Sequence, residues 1–159
     1  MVSKYLLKIL SRSEKETKEI GKKLAQEVLK GEKPKVIALI GELGSGKTTF
    51  IKGFASGLKI KTKVISPSFL IFREYPFFYR KKKYKFYHWD LYRVSSKKEI
   101  LNLGFKEIIK NPKNIVAIEW ADKIKGILPK NSLKIYFSFK NLKEERLKLK
   151  NKNYAFSSH

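Results

Sequence analysis

A chain of 159 residues, 42% hydrophobic and 13% aromatic, is long and apolar enough to bury a core and is not a disordered segment. It has no cysteine and no apolar run of eighteen residues, which excludes disulfides and thiolate metal sites, predicts no membrane span and suits an intracellular, cytoplasmic protein. The formal charge of +23 would draw polyanions, yet arginine stands only at Arg12, Arg73, Arg80, Arg93 and Arg146, and general lysine enrichment gives the same imbalance without a nucleic-acid site.

Along the chain, Met1–Tyr5 does not read as a secretory signal, and Tyr5–Leu10 is a short apolar run that suits a strand. Ser13 with Glu16 three residues on reads as a capping box. Ile20, Leu24 and Val28, flanked by Ala25 and Leu29, form one helical face that Gly31 and Pro34 close. Val36–Ile40 is a continuous apolar pentad, the pattern of a strand buried on both faces. A glycine-rich turn follows, then a helix over Thr48–Leu58. Phe69–Phe78 and Tyr84–Trp89 read as aromatic strands joined by the basic connection Tyr79–Lys83. Ser95 and Ser96 can cap a short helix through Leu101, and Ile115–Ile118 is a second buried strand. Leu133, Ile135, Phe137 and Phe139 alternate with polar residues; Leu147 and Leu149 resume the alternation after a turn near Asn141, suggesting a C-terminal hairpin. The tail from about residue 151 is polar. The pattern predicts a single α/β domain over 1–159.

Gly41-Glu42-Leu43-Gly44-Ser45-Gly46-Lys47-Thr48 fits G-x-x-x-x-G-K-[ST] at every fixed position, with a buried strand before it and a helix after it. Glycines let successive backbone N–H groups, continued through Thr49, curl around phosphate oxygens at the positive end of the new helix. Lys47 would reach the β- and γ-phosphates of a nucleoside triphosphate and the Thr48 hydroxyl would ligate Mg²⁺. Such a site also needs a carboxylate for the metal shell and a group that positions the attacking water. Asp90 closes the run Phe86–Trp89 and Glu119 closes Ile115–Ile118, each at a strand's carboxyl end, where open α/β sheets bind ligands. Either alone could be a solvated acid at a strand end. No N-K-x-D element that reads guanine is present, since Asn111-Pro112-Lys113-Asn114 lacks the aspartate.

Read in order, Gly41–Thr49, Ser66-Pro67-Ser68-Phe69, His88-Trp89-Asp90-Leu91-Tyr92-Arg93 and Ile118-Glu119-Trp120 resemble the TsaE (formerly YjeE) family, as do Thr17 and Gly21 with that family's T-x-x-x-G element. The resemblance runs from about Ser13 to Leu149. It implies a P-loop NTPase-like three-layer sandwich with a mixed, largely parallel central sheet and antiparallel edge hairpins. It also implies a small ATPase needed to form threonylcarbamoyladenosine beside the tRNA anticodon, working with the TsaB–TsaD heterodimer and supporting its turnover rather than transferring the group.

Carried over residue by residue, Lys47, Ser68, Asp90 and Glu119 take the catalytic positions. Thr48, Asp90 and Glu119 surround the metal. Glu42, Leu43, Gly44, Ser45, Gly46, Lys47, Thr48, Thr49, Thr17 and Trp120 contact ATP. Ser68 replaces the family's usual threonine, keeping the hydroxyl and losing the methyl. His88 reads as a hydrogen-bonded structural histidine rather than a catalyst. The aromatic–basic stretch around Arg80–Lys85 is the place for direct tRNA contact, or else an ordinary hairpin with a solvated tip. Two rival functions remain: a nucleotide-dependent docking module whose hydrolysis is incidental, and a small-molecule kinase. Scarce arginines and the lack of a lid-length insertion after Glu119 weigh against the kinase.

Overall fold

The computed structural model describes residues 6–10, 12–67 and 70–138. Six strands, β1 (Leu6–Ile9), β2 (Val36–Ile40), β3 (Phe72–Tyr79), β4 (Lys82–Asp90), β5 (Asn114–Glu119) and β6 (Leu133–Phe137), form one sheet in the order β1-β6-β2-β5-β4-β3. Every neighbouring pair is parallel except the β3–β4 hairpin at one edge. Helices α1 (Glu14–Leu29) and α2 (Lys47–Gly57) cover one face. The short helices α3 (Lys97–Asn102) and α4 (Phe105–Lys110), with a 3₁₀ segment at Ala121–Ile127, cover the other. The result is the mixed, largely parallel α/β sandwich that the sequence predicts.

Alternation along the strands divides the core into two layers. Ile37, Leu39, Phe86, Ile115 and Ala117 pack under α1 and α2; Val36, Ala38, Trp89, Val116 and Ile118 pack against Ile100, Phe105 and Ile124. Central β2 and β5 are therefore apolar on both sides. One strand in from the β1 edge, β6 buries only its odd-numbered residues.

The helix signals act locally. Ser13 Oγ accepts from the Glu16 N–H at 3.1 Å, while the Glu16 carboxylate reaches back to the N–H of Arg12, one residue before the cap. Past the C-terminus of α1, Gly31 at φ +80° lets its N–H and that of Glu32 return to the Val28 and Glu27 carbonyls. Where α1 crosses α2 the backbones nearly touch: a Cβ on Gly53 would lie 2.1 Å from the Lys18 carbonyl oxygen, and one on Gly21 2.4 Å from that of Phe50. Gly21 of the T-x-x-x-G element is thus required by close helix packing.

Several boundaries differ from the sequence expectation. The β3–β4 strands extend to a two-residue turn, Arg80-Lys81, so most of the basic connection is strand, and β3 starts at Phe72. Both turn residues have positive φ, +51° and +64°, the pattern of a type I′ hairpin. Helix α4 and the 3₁₀ segment were not anticipated, because each is too short to establish a periodic signal. Ser68, Phe69, Phe139, the expected C-terminal hairpin and the tail lie outside the described residues.

Candidate functional site

Strand β2 ends at Ile40, and the chain turns through Gly41–Gly46 into α2. Gly44 and Gly46 sit at φ +78° and +105°, and a Cβ on Gly41 would meet Ser45 Oγ at 2.7 Å and the Phe137 carbonyl oxygen at 2.9 Å. The first helical amides, from Lys47 onward, have no side-chain cap, so the positive end of α2 offers uncommitted donors to an anion. Thr17, buried on α1, flanks this turn: its hydroxyl donates to the Ser13 carbonyl at 3.1 Å, and its methyl lies beneath Gly46. Leu43, at the tip, is exposed.

Lys47 is buried and folded back on its own loop. Its Nζ donates to the carbonyls of Gly41 at 2.6 Å and Glu42 at 2.9 Å, reaches Ser45 Oγ at 3.4 Å, and stands 4.3 Å from the centre of the Trp120 ring. Burial holds its pKa below the ordinary lysine value, against the opposing pull of the Glu119, Asp90 and Asp122 carboxylates. Trp120 is half-buried at φ +59° and packs on Tyr92, with centroids 5.1 Å apart. Lys123 Nζ donates to the Tyr92 carbonyl at 2.5 Å and closes that wall.

Parallel pairing places the two strand-end acids side by side, Asp90 opposite Glu119 and Glu119 opposite Leu39 of β2. Alternation turns both acids, and His88, toward the face that α2 covers. Glu119 is held at both oxygens: Oε1 accepts from Thr48 Oγ1 at 2.9 Å and Oε2 lies 2.6 Å from His88 Nε2. His88 and Glu119 are both buried, so their hydrogen bond lies behind the loop, shielded from water. Burial raises the Asp90 carboxyl above the usual carboxylate range and the nearby Glu119 adds to the rise; the Tyr92 N–H, donating at 3.1 Å, with His88 and Lys47, pulls it down.

The site therefore brings together Lys47, Thr48, Asp90, Glu119 and Trp120 from three separate segments, the start of α2 and the ends of β4 and β5, with Glu42, Leu43, Gly44, Ser45, Gly46 and Thr49 in or beside the turn. Ser68 falls outside the described residues. Its neighbours Ser66 and Pro67 line a cleft of about 450 Å³ beside Asp90, with Leu70, Tyr92 and Arg93. The specific pairing of His88 with Glu119 escaped the sequence reading. Its signal was the i, i+2 spacing that puts His88 on the same strand face as Asp90.

Two carboxylates and a hydroxyl make an oxygen-only donor set. Among the described residues no cluster of three or more His, Cys, Asp or Glu gathers to hold a cation by itself. Such a set suits a hard ion that shares its shell with phosphates and water. Among the described residues no helix is long and apolar enough to cross a membrane.

The sequence profile described as "Threonylcarbamoyl adenosine biosynthesis protein TsaE" matches residues 11–148 of the chain. Proteins named "tRNA threonylcarbamoyladenosine biosynthesis protein TsaE" are similar to it. That of Rickettsia typhi is 34% identical over 146 residues, 91% of this chain and 94% of the relative. Those of Borreliella burgdorferi and Bacillus subtilis are 43% and 40% identical over 62% and 76% of this chain, and 69% and 70% of their own lengths.

Proposed function

The chain belongs to the TsaE family, and from that membership we propose that it is a Mg²⁺-dependent ATP-binding protein and weak ATPase serving tRNA threonylcarbamoyladenosine formation. It would act with the TsaB–TsaD heterodimer in the cytoplasm, supporting turnover of that complex. The observation that carries the reading is the Thr48–Glu119–His88 hydrogen-bonded chain beneath the open N-terminus of α2. The residues fit the implied group: uncapped amides and Lys47 suit a triphosphate, and Thr48, Asp90 and Glu119 suit Mg²⁺.

Bound Mg·ATP would supply the electrophilic γ-phosphoryl group and the cation that neutralises its charge. Lys47 would exchange the Gly41 and Glu42 carbonyls for phosphate oxygens, regaining full charge pairing for a desolvated ammonium. Thr48 would turn its hydroxyl from Glu119 toward the metal. That turn releases Glu119 Oε1 to accept a hydrogen bond from the attacking water or from a water of the metal shell, while His88 keeps Oε2 and hence the carboxylate's orientation. Asp90, at the end of the neighbouring strand, would hold an outer metal-bound water.

Leu43, Leu70 and Tyr92 are exposed around this edge, an apolar rim that a docking partner would cover. Slow hydrolysis by the isolated chain and stimulation by TsaB–TsaD are expected, as for P-loop proteins completed in trans. The test is threonylcarbamoyladenosine formation in a reconstituted system with and without this chain, beside Glu119→Ala. Continued modification by a variant that binds ATP but no longer hydrolyses it would favour the docking-module reading. No association with TsaB–TsaD, at low and moderate salt with ATP, would sink the proposal.

A further inference from the structure

The parallel topology segregates charge. The strands β1, β6, β2, β5 and β4 all begin at one edge of the sheet, where α1 and α2 end and the β3–β4 hairpin turns. Segments distant in sequence deliver cations there: Lys30 and Lys59 just past the two helices, Arg80, Lys81 and Lys83 on the hairpin, and Lys113 before β5, all exposed. Glu32 is the one acid in the described segments that connect the elements here. The opposite edge mixes the signs, with Asp90, Glu119, Glu42 and Asp122 beside Lys47, Arg93 and Lys123.

Three further observations distinguish this edge from a uniform lysine coat. Lys30, Lys59 and Arg80 line a cleft of about 580 Å³ between the ends of α1, α2 and β3, and no carboxylate lines it. That volume lies within the roughly 300–1,000 Å³ of ligand sites. Most hairpin aromatics are core: Tyr75, Phe77, Phe86 and Tyr87 are buried, yet Phe78, on the rim of the same cleft, is 68% exposed. Finally, Arg80 and Lys81 occupy two successive positive-φ turn positions, where Asn-Gly is the relaxed choice. A strained turn that nevertheless keeps two cations points to a role for the charges.

We propose that this edge, Lys30, Lys59, Arg80, Lys81 and Lys83 around the Phe78 ring, is an RNA-docking surface that holds the phosphate backbone and stacks one unpaired base on Phe78. A lipid bilayer offers no flat base for one ring beside a cleft, and an acidic protein surface lacks a regular file of phosphates. This inference shares the RNA-modifying context of the reading above but none of its nucleotide chemistry.

Fluorescence anisotropy with a labelled RNA hairpin bearing a single-stranded loop, read over a salt series, tests it. The triple variant Arg80→Gln/Lys81→Gln/Lys83→Gln should bind at least about tenfold more weakly and flatten the slope of log K against log salt by about 2, at about 0.7 per lost contact to single-stranded RNA. Phe78→Ser should bind several-fold more weakly with the slope unchanged. Lys98→Gln/Lys106→Gln/Lys125→Gln, which removes equal charge from the α3–α4 side, should bind like the parent chain. Thermal melting and ATP binding on the same samples report folding and the nucleotide site separately. Equal losses in the two triple variants, an unaffected Phe78→Ser, or a preference for anionic vesicles or an acidic polypeptide at equal charge would each overturn the proposal. RNA binding retained by a chain that binds no ATP would sink the ATPase reading and leave this one standing.

Discussion

The two edges of the sheet use charge in opposite ways. At the carboxyl edge a few charges are buried and fully engaged: Lys47 on loop carbonyls, Glu119 between Thr48 and His88. Desolvation makes each geometry exacting there, because a charge that loses its partner has no water to fall back on. At the amino edge many cations are exposed and none is individually indispensable; their effect is collective, long-ranged and screened by salt. The position of a charge in the fold, more than its presence, decides whether it does chemistry or attracts a partner.

The comparison breaks most sharply at Lys47. Lys47→Ala should lower ATP hydrolysis by about a hundredfold or more and leave RNA affinity unchanged; a parallel loss of RNA binding would show that the edges are not separate. His88→Ala removes one partner of a buried carboxylate and should cost about 3 kcal/mol in urea unfolding, as well as activity. A cost near zero would mean that Glu119 is not held as the 2.6 Å contact implies.

Asp90 gives a smaller effect of opposite sign. Its folded-state pKa is raised, chiefly by burial, so protonation favours the folded chain. Its contribution is present below the ordinary aspartate range and is lost as pH rises through the raised value. Asp90→Asn should therefore raise Tm by about 2 °C at neutral pH, and the gain should vanish on acidification, while metal-dependent hydrolysis falls. A Tm that drops at neutral pH would contradict it. The smallest change is Arg80→Asn/Lys81→Gly, which relaxes the hairpin turn and should stabilise the chain by about 1 kcal/mol in thermal or urea unfolding while weakening RNA binding. Stabilisation without that weakening would remove the functional reason for the strained turn.

Much of this was legible because it is encoded over short distances. A capping box, a C-terminal glycine, an apolar pentad and the phosphate-loop spacing each complete their meaning within one or two turns of chain, so Ser13, Gly31, Val36–Ile40 and Gly41–Thr48 announce their local structure unaided. Asp90 and Glu119 were legible for the same reason, as acids closing apolar strands. Tertiary structure decided what depends on register and packing. Parallel pairing set Asp90 beside Glu119 and let His88 reach its carboxylate. Helix crossing made Gly53 indispensable, which no spacing rule marks, because the constraint comes from the Lys18 backbone on another helix. Topology likewise sorted a chain-wide lysine excess into an acid-bearing edge and a basic one. Composition sums charges without direction; only the order and polarity of the strands decide where they gather.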